Sequence, residues 1–116
     1  MKLTLTILTV AATLFASSAS AFDPDDLQKL KDTGDCVECD LEGANLKNAR
    51  LRFAFLRDAN LKGADLSGAN LEAAILMGAD LSGTDLKDAK LGYALMNGAI
   101  LCNTTMPDGS VIYSGC

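Results

Sequence analysis

Every fifth residue from Leu41 to Met106 is Leu or Met, and the residue two places before each is almost always Ala. The anchors are Leu41, Leu46, Leu51, Leu56, Leu61, Leu66, Leu71, Leu76, Leu81, Leu86, Leu91, Met96, Leu101 and Met106. A period of five fits neither the 3.6-residue helix nor the two-residue strand, so the chain cannot bury these residues on one face of an ordinary element. A fixed period held over so many units is the mark of a solenoid, in which each repeat covers its apolar residues only by stacking on its neighbours. The anchors from Leu46 to Leu101 are therefore the expected core.

The units Ala44-Asn45-Leu46, Ala59-Asn60-Leu61, Ala64-Asp65-Leu66, Ala69-Asn70-Leu71 and Ala79-Asp80-Leu81 carry a further pattern, Ala, then Asn or Asp, then Leu. They resemble the repeat of pentapeptide repeat proteins, and the resemblance runs over residues 39–108. It implies an all-β solenoid: a right-handed, four-sided (quadrilateral) parallel β-helix, one pentapeptide to a side, with Leu and the preceding Ala inward. The other three positions of each unit would face solvent. Four five-residue sides make a twenty-residue coil, so the repeat would wind about 3.5 times, with a short N-terminal capping helix.

Ahead of the repeats, Lys2, an apolar stretch from Leu3 to Phe15, and Ala19-Ser20-Ala21 follow the order of a secretory signal peptide. The apolar run falls short of the roughly 20 residues that span a bilayer, and no Cys follows Ala21 to carry a lipid. The expected division is residues 1–21 as signal, 22–38 as cap helix and linker, 39–108 as repeats and 109–116 as a C-terminal cap. Export would deliver the chain to a periplasm, a thylakoid lumen or the extracellular space. Without Lys2 the remaining chain has nine basic and fifteen acidic residues, a net charge of −6 that disfavours nucleic-acid and anionic-membrane partners. Basic residues gather once, at Lys47, Arg50, Arg52 and Arg57 beside Asp58, which reads as a solvated, ion-paired surface.

The four cysteines of an exported chain read as two disulfides with three possible connectivities. If the twenty-residue coil implied by the resemblance holds, Cys39 and Cys102 lie three coils apart, roughly 14 Å and too far to bridge. The expected pairs are then Cys36 with Cys39 and Cys102 with Cys116, one at each end. The same separation speaks against a four-Cys zinc site, and the absence of His speaks against haem attachment at Cys36-Val37-Glu38-Cys39. Asp23 to Lys31 reads as a capping helix, with Leu27 and Leu30 on one face and Gly34 ending it. Pro107-Asp108-Gly109 breaks the repeat, after which Val111 to Tyr113 can fold back over the last coil.

No constellation for catalysis, metal or cofactor stands out. The core leaves no space for a pocket, so no small-molecule substrate is expected. Stacked Asp and Asn columns, Asp40 with Asn60 and Asp80, or Asn45 with Asp65 and Asp85, read as backbone-bonding and solubilising positions. Where Asn or Asp belongs, three units carry Phe55, Ile75 and Leu95. Spaced one coil apart, they should stack into one apolar column, flanked by Phe53, Ala73 and Tyr93 across a corner and joined by Met77. A contiguous apolar patch of this kind marks a partner site unless the N-terminal helix or the tail covers it, and both arrangements remain open. The expected function is a rigid, non-enzymatic interaction or structural module that engages an unidentified protein or a second copy of itself. Two other functions compete with it: a DNA-mimicking topoisomerase inhibitor, as the resemblance implies from some members of that family, and thiol-redox chemistry at Cys36 and Cys39.

Overall fold

The computed structural model describes residues 21–116, so residues 1–20 of the expected leader lie outside it. Within the repeats, each unit places its Leu inside, turns a corner over the next two residues, returns with Ala and contributes one residue to a parallel bridge. The Ala44 N–H donates to the Leu41 carbonyl at 3.0 Å, and the same turn bond recurs from Ala49 to Leu46 and from Ala54 to Leu51. Bridges link residues twenty apart: Asp40 with Asn60, Asn60 with Asp80, Asp80 with Ile100. One coil therefore takes four five-residue segments. Each side contributes a single bridged residue rather than a strand, because a chain that turns every five residues has no room for a longer one. The first bridge, Asp35 to Phe55, precedes the first Leu anchor.

Turns of this kind need a left-handed residue in their second corner position, which Gly supplies most easily. Gly43, Gly63 and Gly83 stand there with φ of 69°, 66° and 66°. Asn and Asp side chains add a second local bond. The Asp65 carboxylate accepts the Ser67 N–H at 3.0 Å, Asn70 accepts from Glu72 at 3.0 Å, and Asp80 accepts from Ser82 at 3.0 Å. The Asp and Asn columns thus spend their side-chain oxygens on the backbone two residues on.

The anchors from Leu41 to Leu86 are buried, and the interleaved Ala residues fill the corners between them. Two Ala positions hold Thr instead. Buried Thr84 and Thr104 donate their hydroxyls to the carbonyls of Leu61 and Leu81, at 2.6 and 2.7 Å, so no polar group is stranded. Leu91, Met96 and Leu101, expected as full core, are only partly buried. They belong to the last coil, on which no further coil stacks, and the tail covers little of it. Thr104–Thr105 (β1) pairs antiparallel with Val111–Ile112 (β2), but Val111 and Tyr113 stay exposed.

The other end is closed by a helix, Pro24–Thr33 (α1). Asp23 caps it by accepting the Asp25 N–H at 2.8 Å, Pro24 begins it, and Gly34 ends it in a left-handed conformation with its N–H on the Leu30 carbonyl at 2.9 Å. Leu30 is buried against the first coil. The cap also serves the edge of that coil: the Asp23 N–H donates to the Asp40 carbonyl at 3.0 Å, and the Asp26 carboxylate accepts the Asp40 N–H at 2.8 Å. A disulfide joins Cys36 to Cys39 at this end, with Cα atoms 5.1 Å apart. A second joins Cys102 to Cys116 at the far end, with Cα atoms 4.8 Å apart.

Candidate partner-binding face

Phe55, Ile75 and Leu95 form one bridged column, continued at its N-terminal end by Asp35. Phe55 is 49% exposed and Leu95 48%, while Ile75 and Met77 between them are half-buried. Across the corner, Phe53 is 60% exposed and Tyr93 93%, with half-buried Ala73 between. The Arg52 guanidinium lies over the Phe53 ring at 4.9 Å. Neither terminus covers this strip among the described residues. Helix α1 sits over the end of the first coil, and β2 pairs with Thr105, which belongs to the column of Asn45, Asp65 and Asp85.

The strip is built against local preference at both of its positions. Phe53, Ala73 and Tyr93 occupy the left-handed corner, with φ of 64°, 58° and 60°. In the other columns that corner is held by Gly, Asn or Asp, with Glu38 the one departure. A left-handed residue with a Cβ costs roughly 1–2 kcal/mol, and Asn and Asp soften this by bonding locally. Phe55, Ile75 and Leu95 also forgo the side-chain bond that Asp65 or Asp80 makes to the backbone two residues on, about 1 kcal/mol where such bonds are partly buried. Sequence reading found the apolar column but missed the conformational strain. Its signal was present in the third residue of each unit, where Gly, Asn or Asp gives way to Phe53, Ala73 and Tyr93 throughout one column.

The core is closed, but the surface carries grooves. An open groove of about 370 Å³ lies at the capped end between Lys31 of α1 and the first-coil residues Asn45, Lys47 and Arg50, with Leu46 and Leu51 at its base. A second, of about 360 Å³, runs past Ser67, Asp85, Lys87 and Asp88 and mixes both charges. On that side the Ser67 hydroxyl and backbone N–H hold the Asp65 carboxyl below its ordinary pKa, with Lys47 adding to the effect. The basic residues grouped in the sequence part company. Arg57 pairs with Asp58 at 3.7 Å, Arg52 covers Phe53, and only Lys47 and Arg50 share the groove. Among the described residues, no group of three His, Cys, Asp or Glu is placed to hold a metal, and no helix is long and apolar enough to cross a membrane.

The profile of the family described as Pentapeptide repeats matches this chain in eight copies, over residues 39–78, 56–92 and 79–108. The chain is a pentapeptide repeat protein. Its twenty-residue bridging is that of the family's right-handed β-helix. A pentapeptide repeat protein of the cyanobacterium Cyanothece 51142 is 41% identical over 56% of this chain and 45% of its own, with a TM-score of 0.55. This pentapeptide repeat protein thus spans less than half of that relative. One from Nostoc PCC 7120 is 32% identical over 74% of this chain and 82% of its own, with a TM-score of 0.43. One from the thylakoid lumen of Arabidopsis thaliana is 28% identical over 67% of this chain and 61% of its own, with a TM-score of 0.42. Among curated proteins none matches.

Proposed function

We propose that this pentapeptide repeat protein is an exported, non-enzymatic interaction module, a four-sided rod of about three and a half coils that presents its apolar strip to a protein partner. The observation that carries this reading is the strip itself. Six outward positions along one corner hold apolar residues where the fold favours Gly, Asn or Asp, and among the described residues neither terminus covers them. Local strain retained at a surface is the pattern expected when the surface is used. The strip rises over two coil spacings, about 10 Å, so it forms a few hundred Å² of apolar surface. A stable interface needs about 800 Å² per partner, so the partner's footprint extends onto neighbouring residues such as Arg52 and Arg57. A second exported protein fits this better than a two-fold contact between strips alone.

The leader-like N-terminus and the two disulfides support an oxidising, exported location. Cys36 and Cys39 are 0% and 4% exposed, which favours a structural clasp over thiol exchange, since an attacking thiolate must reach the sulfur. An apolar strip flanked by Arg52 and Arg57 is a poor imitation of DNA, which disfavours the topoisomerase alternative. The test is Ile75→Arg, which places a charge at the centre of the column while leaving the buried anchors untouched. Light scattering after size exclusion gives the mass of the oxidised protein, and cross-linking in the exported fraction gives its partner. Loss of the adduct, or of a dimer, with unchanged circular dichroism supports the module. Adducts that persist unaltered in Ile75→Arg refute the strip as the binding face.

A further inference from the structure

The capped end of the rod has a second, independent peculiarity. In every later coil the bridged residue donates its N–H to the coil before it, as Asn60 does to the Cys39 carbonyl at 2.8 Å and Asp65 to the Ala44 carbonyl at 3.0 Å. The first coil has no predecessor, so its bridged residues must find other acceptors. Asp40 finds one in the Asp26 carboxylate of α1, at 2.8 Å. The N–H groups of Asn45 and Arg50, next along the same edge, have no acceptor among the described residues. They border the groove of about 370 Å³, where Lys31, Lys47 and Arg50 stand around the apolar floor of Leu46 and Leu51. None of these three cations has an ion pair among the described residues, the one pair found being Arg57 with Asp58.

We propose that this groove binds an acidic peptide segment that follows the corner between Asn45 and Arg50, its oxygens accepting from their N–H groups while its carboxylates face Lys31, Lys47 and Arg50. The protein supplies a precedent for each class of acceptor: the Asp40 N–H is satisfied by the Asp26 carboxylate and the Asp35 N–H by the Thr33 hydroxyl, at 3.0 Å. An edge with open N–H groups is a template for an added strand, and the cationic rim selects an acidic one. An apolar side chain alternating with the acidic ones would rest on Leu46 and Leu51. The overall negative charge of the chain does not oppose this, because at ordinary ionic strength the field is local, screened beyond about 8 Å. The site lies at the rod's end, apart from the apolar strip on its side, and stands or falls separately from it.

The test uses the ¹⁵N-labelled protein and four probes: a short peptide alternating Glu and Val, its Lys and Val counterpart, inorganic phosphate and a single-stranded oligonucleotide. The Glu peptide is expected to slow hydrogen exchange at the Asn45 and Arg50 amides at least about tenfold at saturation, and its affinity should fall as salt rises. Lys47→Glu with Arg50→Glu should weaken binding at least about tenfold, whereas Lys62→Glu, also exposed but away from the groove, should leave it within about twofold. Ile75→Arg should not change it. Three results overturn the proposal: no protection at these two amides, equal binding of the Lys peptide, or equal protection by phosphate alone, which would make it a free-anion site. A single-stranded oligonucleotide that competes as well as the Glu peptide would overturn the peptide assignment.

Discussion

Tyr93 offers the sharpest test of the claim that the strip is held against the preference of the fold. It sits at φ 60° and is 93% exposed, so its ring covers little that water would otherwise reach. Replacing it by Asn removes the left-handed penalty of roughly 1–2 kcal/mol and keeps a residue that tolerates the corner. The buried area forfeited is under a tenth of an aromatic side chain, about 20 Å² or 0.5 kcal/mol. The net expectation is a gain of about 1 kcal/mol, raising the thermal midpoint of a chain this size by about 4–8 °C. Phe53 shares the corner and the strain, with φ 64°, yet should behave oppositely. At 60% exposure it keeps 40% of its surface covered. That is about 80 Å² of an aromatic side chain, or 2 kcal/mol, an upper figure for area burial. Its ring also carries the Arg52 contact at 4.9 Å, which adds about 0.5 kcal/mol at an exposed site. Loss therefore exceeds relief, and Phe53→Asn should destabilise by about 1 kcal/mol.

The assay is thermal and urea unfolding of the oxidised variants followed by circular dichroism. Opposite signs for the two substitutions support the argument. Destabilisation by Tyr93→Asn of more than about 0.5 kcal/mol would refute it, because the residue would then be making contacts inconsistent with a free face.

Two further outcomes follow from the same geometry. The folded Asp65 carboxyl lies below its ordinary pKa through its bonds from Ser67, so its contribution is fully present above about pH 3.9 and is lost as pH falls through the folded value. Ser67→Ala should raise the Asp65 pKa in carboxyl-carbon NMR titration and flatten the acid loss of stability, and an unmoved pKa would contradict this assignment. Leu66→Ala, at a fully buried anchor, should cost about 2–5 kcal/mol, whereas Leu91→Ala in the half-open last coil should cost about 1, as urea midpoints will show. Equal costs would mean that the last coil is covered in solution.

The repeat was legible in the sequence because a period of five is a property of neighbours along the chain, and each neighbour pair predicts its own stack. The four sides come from the resemblance to pentapeptide repeat proteins, and with them the column of Phe55, Ile75 and Leu95 and the distance between Cys39 and Cys102 follow from counting. What counting misses is what happens at the ends. Leu91 and Leu101 obey the repeat as well as Leu66 does, yet lose burial because nothing stacks beyond them. The groove was illegible for the same reason. Lys31 meets Lys47 and Arg50 only because α1 docks across one part of the first coil's edge and leaves the next part open, and no periodicity records where a cap will settle. Arg52 and Arg57, two and seven residues beyond Arg50 in the chain, are turned to other work by the corners between them. The strip lies between these extremes. Its composition could be read directly, but the strain at Phe53, Ala73 and Tyr93 requires knowing that the corner is left-handed. Once that is known, the same residues that looked like scattered apolar exceptions become positions where the fold's own preference is overridden in every coil of one column and, elsewhere, only at Glu38. Departures occur elsewhere too, at Glu38 and Ile100, but only along this corner do they recur coil after coil, and that recurrence is what separates the strip from an accident of composition.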